Sequence, residues 1–539
     1  MKNHRAWPVV LTLLLVAGIT GCVMATLNSG QGPGASGPAD QGPRVVQRDG
    51  DAVAGKEVFR FETFGNEGFW TDALRLPQGM AAAKVTPMQA LELGLNVDVL
   101  KLPPDIALRV QADLARDPTL QNSEVMHDAA ITMRLINANA VIGFAAKDSN
   151  GDGRIDVGNG DKAGPTCALC HTIVKDAIFQ LKDGGGIGLR DDGRANHVLN
   201  FGKIAATAAN SRALFPGLQL ALKATGGKSL GRAPRGLTED STEAEVDAYL
   251  SNPTYYPVGM FDDSLDGNGN TMHNTPLFRQ DLAAPYGSEG AIARLDNFSN
   301  LVYTALFDPT NITTPGGRAF LHKLGGAAGD EIVNSYVKIL DATGVRGYPY
   351  VRAAPYADPG SEEAPLGIRV DEKKLRDMNA YLASLTAPKG RITDAAAAIR
   401  GREQFRTGVC VQCHNADQSR PVPAFIVPMK RIFPGDNPVV MAQREPPLNP
   451  IMDTPGNTFD DKMAVTNASL RGLERGIAVP LLLDLARKPV FLHDNSVPTL
   501  VDLFNPGRGP TAPHAFYIQD ARAREDMAEF LRGLDDRAP

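Results

Sequence analysis

The chain has 539 residues and a formal net charge of −6, with 43% hydrophobic and 22% charged residues. This length exceeds what one hydrophobic core usually organises and predicts two domains or more, while the composition is that of a soluble globular protein. The charge is weakly negative and the sequence has no basic patch, so nothing favours a nucleic-acid partner.

The first residues have the pattern of an export signal. Lys2 and Arg5 precede an apolar run, residues 9–19, that is too short for a typical membrane span. The run ends in ITGC, which resembles a bacterial lipobox, and this predicts a signal peptide over 1–21 with lipidation at Cys22. The alternative is an ordinary secretory signal with an incidental cysteine. Residues 22–55 are predicted to form a flexible tether that holds an exported protein at the periplasmic face of a bacterial membrane.

The body of the chain is predicted to be mainly α-helical, because alternating strand patterns are scarce and long Pro- and Gly-marked loops separate the apolar stretches. Trp70 is expected to anchor the core. Four stretches predict helices: Met126 to Lys147, Leu375 to Leu385, an alanine-rich segment capped by Thr393 that ends at Phe405, and Ala521 to Leu534.

The stretch DSNGDGRID, residues 148–156, resembles the first part of an EF-hand loop. Gly153 stands at the turn position, but Asn159 occupies the twelfth position, where a bidentate Glu is expected. The pattern therefore predicts a calcium site of weakened affinity, and the alternative is a polar turn. The side chains that would bind the ion, at loop positions 1, 3, 5 and 9, are Asp148, Asn150, Asp152 and Asp156.

Two clusters carry the strongest chemical signal in the sequence. The first is Cys167, Cys170 and His171, and the second is Cys410, Cys413 and His414. On a helical turn the two cysteines of such a cluster share one face, and the histidine lies beside them. This is the attachment pattern of c-type haem, with the thiols on the porphyrin vinyl groups and the imidazole on the iron.

The alternatives for these clusters are zinc binding and thiol redox chemistry. Zinc sites usually bring their two C-x-x-C halves within about 15–20 residues, whereas Cys410 comes 240 residues after Cys170. A redox C-x-x-C pair does not require the histidine. The sequence therefore predicts two covalently bound haem c groups, in a first domain over 56–388 that includes an N-terminal extension and in a second domain over 389–539. The expected fold is mainly α, with two c-type cytochrome domains.

With both clusters placed, the chain resembles the bacterial diheme cytochrome c peroxidase superfamily. This superfamily includes the diheme enzyme that matures the quinone cofactor of methylamine dehydrogenase and the latex-cleaving diheme oxygenases. The resemblance runs from about Lys162 to the C-terminus, and its most specific part is FLHDNSVPTL, residues 491–500. SLRG at 469–472 and GREQF at 401–405 match less specific stretches, and FETFG at 61–65 is most similar to the oxygenase-like branch.

The resemblance implies roles for several residues near the haems. It aligns Leu189 with the position of a histidine that caps the first iron, which implies an open distal side. It places Asn311 where peroxidases of the family carry an acidic residue, and Asn311 and His273 are the candidate residues of the distal side, with His197 as a further candidate. Because an amide cannot transfer a proton as a carboxyl group does, efficient peroxidase chemistry is not expected.

The resemblance also implies that the second iron takes His514 as its sixth ligand, with Met463 and His493 as the rival candidates. His493 is more simply explained as a residue between the haems that contacts a propionate. The resemblance implies an enzyme: a haem oxidoreductase, peroxidase-like or oxygenase-like, in which the first haem reacts and the second transfers electrons to or from a periplasmic partner. Its substrate would be peroxide, dioxygen or another small oxidisable molecule. The alternatives are a non-catalytic electron-transfer cytochrome and a ligand-binding sensor.

Overall fold

The computed structural model describes residues 46–227, 231–262, 264–269, 271–288, 290–417, 426–428, 476–492, 495–509, 514 and 516–537. These residues form a mainly helical fold. The helices are α1 Ala52–Phe61, α2 Leu76–Ala82, α3 Pro87–Glu92, α4 Pro104–Arg116, α5 Glu124–His127, α6 Ala129–Asn137, α7 Ala168–His171, α8 Phe201–Ala205, α9 Glu243–Ser251, α10 Leu295–Leu301, α11 Pro315–Gly325, α12 Ala327–Ala342, α13 Glu372–Ser384, α14 Ala395–Thr407, α15 Leu500–Leu503 and α16 Ala521–Arg532.

Short strands connect these helices. They are β1 Val97–Asp98, β2 Phe144–Lys147, β3 Lys162–Pro165, β4 Thr172–Gln180, β5 Gly186–Asp192, β6 Met260–Phe261, β7 Met272–His273, β8 Ala354–Pro355, β9 Ile368–Arg369, β10 Ile426–Pro428 and β11 Gly476–Ala478. In the sheet that matters most for the site, β5 lies between β1 and β4, parallel to β1 and antiparallel to β4. The other strands pair in sequence order as antiparallel two-stranded ladders.

Aspartate caps begin four helices near the two Cys-x-x-Cys-His clusters. The carboxylates of Asp51, Asp371, Asp394 and Asp520 accept hydrogen bonds from backbone N–H groups in the first turns of α1, α13, α14 and α16. The sequence predicted helices at three of these four places. It assigned the cap of α14 to Thr393, but Asp394 is the cap, and the Thr393 hydroxyl donates to Glu529 instead.

The predicted helix from Met126 to Lys147 is wrong. The structure breaks this stretch into α5, α6 and β2, because α6 ends at Asn137 and Gly143 takes a φ of +88°. A Cβ on Gly143 would lie 2.2 Å from the Cα of Leu169, so only glycine allows the chain to pass this close to α7. The residues after Gly143 then pair with β3 as a strand.

Buried side chains form separate cores around the two clusters. The largest core includes Trp70, which is 1% exposed and donates its indole N–H to the Phe307 carbonyl, as expected for a core anchor. A second core includes Tyr303 and Met378. A third draws its buried residues from Phe405 to Leu534, where α14 packs on α16. The residues around the second cluster thus have a core of their own.

Within the described ranges, the helices are too short or too polar to cross a membrane.

Candidate functional site

The first cluster lies on a single helical turn between two strands. Its helix α7 begins after Cys167, and the backbone N–H of His171 donates to the Cys167 carbonyl at 3.2 Å. Strand β4 starts at the next residue, Thr172, so the cluster leads directly into the β4–β5 hairpin. The hairpin and Gly143 fix this turn from both sides.

The His171 ring is oriented by a hydrogen bond at Nδ1, which leaves Nε2 on the other side of the ring. Its Nδ1 lies 2.7 Å from the backbone carbonyl oxygen of Thr275. A proton on Nδ1 satisfies that carbonyl and leaves the lone pair of Nε2 available to a metal. Burial lowers the pKa of His171 to about 4, so the ring is neutral at physiological pH, as an axial ligand must be.

The thiols of the first cluster are enclosed by apolar and weakly polar groups. The Sγ of Cys167 lies 3.4 Å from the Tyr303 hydroxyl and 3.9 Å from the Sδ of Met378. Burial raises the pKa of Cys167 to about 11 and that of Cys170 to about 12, and none of the described cysteines forms a disulfide. Thiols that stay protonated are poorly suited to thiolate redox chemistry, whereas thioether attachment to haem is compatible with them.

The second cluster occupies a 3₁₀ turn, Val409–Gln412, and the backbone N–H of His414 donates to the Cys410 carbonyl at 2.8 Å. The ring of His514 lies opposite, with its centroid 6.2 Å from that of His414 and the two planes at 48°. A metal–imidazole bond of about 2.0 Å, with roughly 1.1 Å from nitrogen to ring centre, puts two axial imidazoles about 6 Å apart between centroids. The observed separation therefore fits one iron between the two rings.

Burial disfavours the protonated form of both rings. Burial lowers the pKa of His414 to about 4, and burial together with the neighbouring His414 lowers that of His514 to about 3. Within the described residues, the Nδ1 atoms of both rings are buried without hydrogen-bond partners. His414 thus lacks the carbonyl contact that orients His171. The histidines of the two clusters therefore differ in the partner of Nδ1, and only His414 has a second imidazole ring opposite it among the described residues.

Leu189 and Asn311 occupy different parts of the fold. Leu189 lies on β5, opposite Lys175 of β4, in the hairpin that follows the first cluster. Asn311 is fully buried, and its amide lies 3.3 Å from both the carbonyl and the carboxylate of Asp308. Burial raises the pKa of Asp308. The contacts of Asn311 are thus those of a buried turn, and its predicted role at the distal side remains a prediction.

His273 lies on β7, two residues before the carbonyl that contacts His171. Its ring stacks on that of His197, with centroids 4.6 Å apart and planes at 23°. The carbonyl of Thr275 contacts His171 at Nδ1, the ring nitrogen away from Nε2. The predicted distal role of His273 stays a prediction.

The loop predicted to bind calcium uses its side chains to hold its own backbone. The carboxylate of Asp148 accepts from Gly151 and Gly153, and Asp161 accepts from Ser149, Asn150 and Asp156. Among the residues the structure describes, no group of three or more His, Cys, Asp or Glu side chains could hold a metal ion. Calcium binding stays a prediction.

Several predicted residues lie outside the described part of the chain: Cys22, Met463, His493 and the stretch 469–472. Conversely, the structure brings residues to the first cluster that the sequence did not indicate, namely Thr275, Tyr303 and Met378. Thr275 acts through its backbone carbonyl, which no sequence pattern reveals, and the others look like ordinary core or surface residues in the sequence.

Comparisons with known proteins place the chain in no family. No family model and no curated protein matches it. A solved structure that it matches is "Kuenenia stuttgartiensis Hydrazine Synthase Pressurized with 20 bar Xenon", at 14% identity over 57% of this chain and 84% of that one. The TM-score is 0.24, too low to support a shared fold.

Proposed function

We propose that the protein is a diheme c-type cytochrome that acts as a haem oxidoreductase. The observation that carries the proposal is the difference between its two clusters. His414 faces a second imidazole at the separation expected for two axial ligands, whereas among the described residues the ring of His171 contacts a backbone carbonyl and no second histidine ring. Haem bound at both sites would supply one-electron transfer and, at an iron with an open face, reaction with peroxide or dioxygen.

The chain's own residues would divide the work in this scheme. The Thr275 carbonyl keeps the proton on Nδ1 of His171, which fixes the orientation of the ring and increases the basicity of Nε2. His414 and His514 would hold the second iron from both sides, so that it has no position free for substrate. We therefore assign substrate to the first site and electron transfer to the second.

The proposal includes the lipid anchor at Cys22, a periplasmic electron partner and a small oxidisable substrate, as the sequence predicts. The resemblance to the diheme peroxidase superfamily supports peroxide or dioxygen as the oxidant.

A second candidate function, a non-catalytic electron carrier, is favoured by one observation. Met378 is fully buried and its sulfur lies 3.9 Å from the Sγ of Cys167. Thioether sulfur is a known axial ligand of haem iron. If Met378 reached the first iron, both irons would be six-coordinate and neither could bind substrate.

Carbon monoxide binding to the reduced protein separates the two functions. For the oxidoreductase, one carbon monoxide should bind per chain, with similar affinity in the wild-type protein and in Met378→Leu, while peroxide turnover is slow. Binding that appears only in Met378→Leu would show that Met378 caps the first iron and that the protein is a carrier. Mass spectrometry of the denatured protein should show two retained porphyrins, and one or none would contradict both functions.

A further inference from the structure

Next to the first cluster lies a group of basic side chains that has no acidic partner among the described residues. It consists of His197, His273 and Lys488, which we call the 488 cluster. Neither ring nitrogen of His273 meets hydrogen-bond geometry with a described partner, and the same holds for Nδ1 of His197. His273 is only 5% exposed. The Asn495 side chain lies near His273 and raises its pKa, an effect smaller than the lowering by burial. The two side chains do not meet the geometry of a hydrogen bond.

The 488 cluster is fixed to the first haem motif at two points. The backbone N–H of Asn196, next to His197, donates to the Cys170 carbonyl at 2.9 Å. The segment that carries His273 continues to Thr275, whose carbonyl contacts Nδ1 of His171. The Asn274 amide donates to the Asn196 carbonyl at 3.0 Å and joins the two segments. The segments that carry the stacked rings are therefore joined to Cys170 and His171 by hydrogen bonds.

Lys488 reaches this place from the C-terminal half of the chain. Asp484 pairs with Arg194 at 3.1 Å and with Arg487 at 2.6 Å, and these ion pairs hold the 484–488 segment against the end of β5. Both oxygens of Asp484 are thus engaged, and Asp191 is engaged by Arg194 and Lys175. The Nζ atom of Lys488 lies over the ring of Phe491, 5.9 Å from its centroid. Lys488 has no ion pair with a described residue.

An ammonium group that is partly buried beside neutral imidazoles is unfavourable unless an anion joins it. Burial lowers the pKa of Lys488 to about 8, and Lys488 in turn lowers the pKa values of His197 and His273, after the larger effect of burial. A metal ion does not fit, because the ammonium charge would repel it and nearly parallel rings do not direct their lone pairs to one point. A carboxylate fits, since Lys488 supplies the opposite charge and the rings supply N–H donors.

We propose that the 488 cluster binds a propionate carboxylate of the first haem, with Lys488 as its counter-charge and His197 and His273 as hydrogen-bond donors. This inference rests on the proposed function, because it requires haem at Cys167 and Cys170. It adds that the C-terminal half of the chain contributes a charged group to the first haem site. Lys488 would be a positioning residue that also sets the reduction potential of this haem.

The test is redox potentiometry of the haem-loaded protein and its Lys488→Gln variant. Removing a positive charge beside the propionate stabilises the ferric form, and we expect about a tenfold shift of the ferric–ferrous equilibrium of one haem at fixed poise, or ~59 mV for one electron. Lys488→Arg should retain the wild-type potential. The control is Lys338→Gln, an exposed lysine paired with Glu239, which should change neither haem.

Two further arms identify the source of the carboxylate. Acetate added to the wild-type protein should not change its spectrum or potentials, since the propionate already occupies the cluster. A response to acetate that requires Lys488 would show a site for a free carboxylate and would overturn the proposal. Asp494, outside the described residues, is an acidic neighbour in sequence. If Lys488→Gln has no effect in an Asp494→Asn background, the chain supplies its own carboxylate and the proposal fails.

Haem content separates this inference from the function on which it rests. Two retained porphyrins with unchanged potentials in Lys488→Gln would overturn the inference and leave the proposed function intact, whereas fewer than two in the wild-type protein would overturn both. Should Lys488→Gln not accumulate, His273→Asn provides the same test. It is expected to lower the same potential, and an unchanged potential in a variant with two haems would contradict the proposal.

Discussion

The imidazole rings of His414 and His514 face each other with their centroids 6.2 Å apart, although His514 follows 100 residues later in the sequence. His514 has a φ of +55° and packs against Phe504 and Phe516. A non-glycine residue in this conformation is strained, and such strain persists where the surroundings fix the residue. The position of the His514 side chain is therefore built into this part of the fold.

Replacing His514 should change the second haem alone. In His514→Gly we expect a low-spin ferric signal to become high-spin, because a strong axial ligand is lost, while the first haem is unchanged. Absorption and EPR spectra of the ferric variant measure this. His322→Ala serves as the control, because this histidine has an exposed side chain paired with Asp330. An unchanged spectrum in His514→Gly would favour Met463 or His493 as the ligand.

Asn311→Glu tests whether this residue belongs to a distal pocket. The structure buries Asn311 against Asp308, so a second carboxyl group there should lower the free energy of unfolding by about 1–3 kcal/mol without a gain in activity. Denaturant unfolding measures the change in stability, and a peroxide assay measures the change in activity. The control is Asn311→Gln, because glutamine has nearly the same size as glutamate but lacks the carboxyl group. If Asn311→Glu instead increased peroxide turnover by an amount that approaches roughly 10²–10⁴-fold, the range typical of acid–base assistance, residue 311 would lie beside the iron.

A buried ion pair supports the sheet that follows the first cluster. Arg190 of β5 pairs with Asp98 of β1 at 2.6 Å, with side chains only 3% and 7% exposed. Asp98→Ala leaves the guanidinium buried and unpaired, and it should lower the free energy of unfolding by about 3–5 kcal/mol. Asp105→Ala breaks the exposed pair with Arg134 and should change stability little. If denaturant unfolding showed the same loss of free energy in both variants, the buried pair of Arg190 and Asp98 would contribute no more to stability than the exposed pair.

Cys22→Ser tests the predicted anchor. The exported variant should move from the membrane fraction to the soluble fraction and keep both haems, because the lipid would be the only attachment and the clusters lie far along the chain. Fractionation followed by haem staining measures both properties. Membrane association that persists in Cys22→Ser would mean that another feature anchors the protein.

Local sequence signals predicted part of this structure well. The amphipathic pattern from Leu375 to Leu385 falls in α13, and that from Ala521 to Leu534 falls in α16. Both helices have an aspartate cap and an apolar face toward a core, so local propensity and packing agree. Each cysteine cluster was also found from its spacing, since a helical turn fixes that spacing without help from the rest of the chain.

The failures have a common physical cause in contacts between distant segments. The stretch from Met126 to Lys147 has apolar residues on most sides, but the approach of Gly143 to Leu169 and the pairing of β2 with β3 turn its second half into a strand. The carbonyl of Thr275 and the side chain of Met378 reach the first cluster through tertiary packing. A pattern within a short window cannot show such contacts.

The EPR spectrum of the purified ferric protein tests the central claim most directly, because it counts the irons and reports the coordination of each. The account predicts one low-spin iron, held by His414 and His514, and one high-spin iron at His171, in equal amounts. Two low-spin signals would contradict the assignment of the first haem as the reactive site, and a single iron per chain would contradict the diheme protein itself.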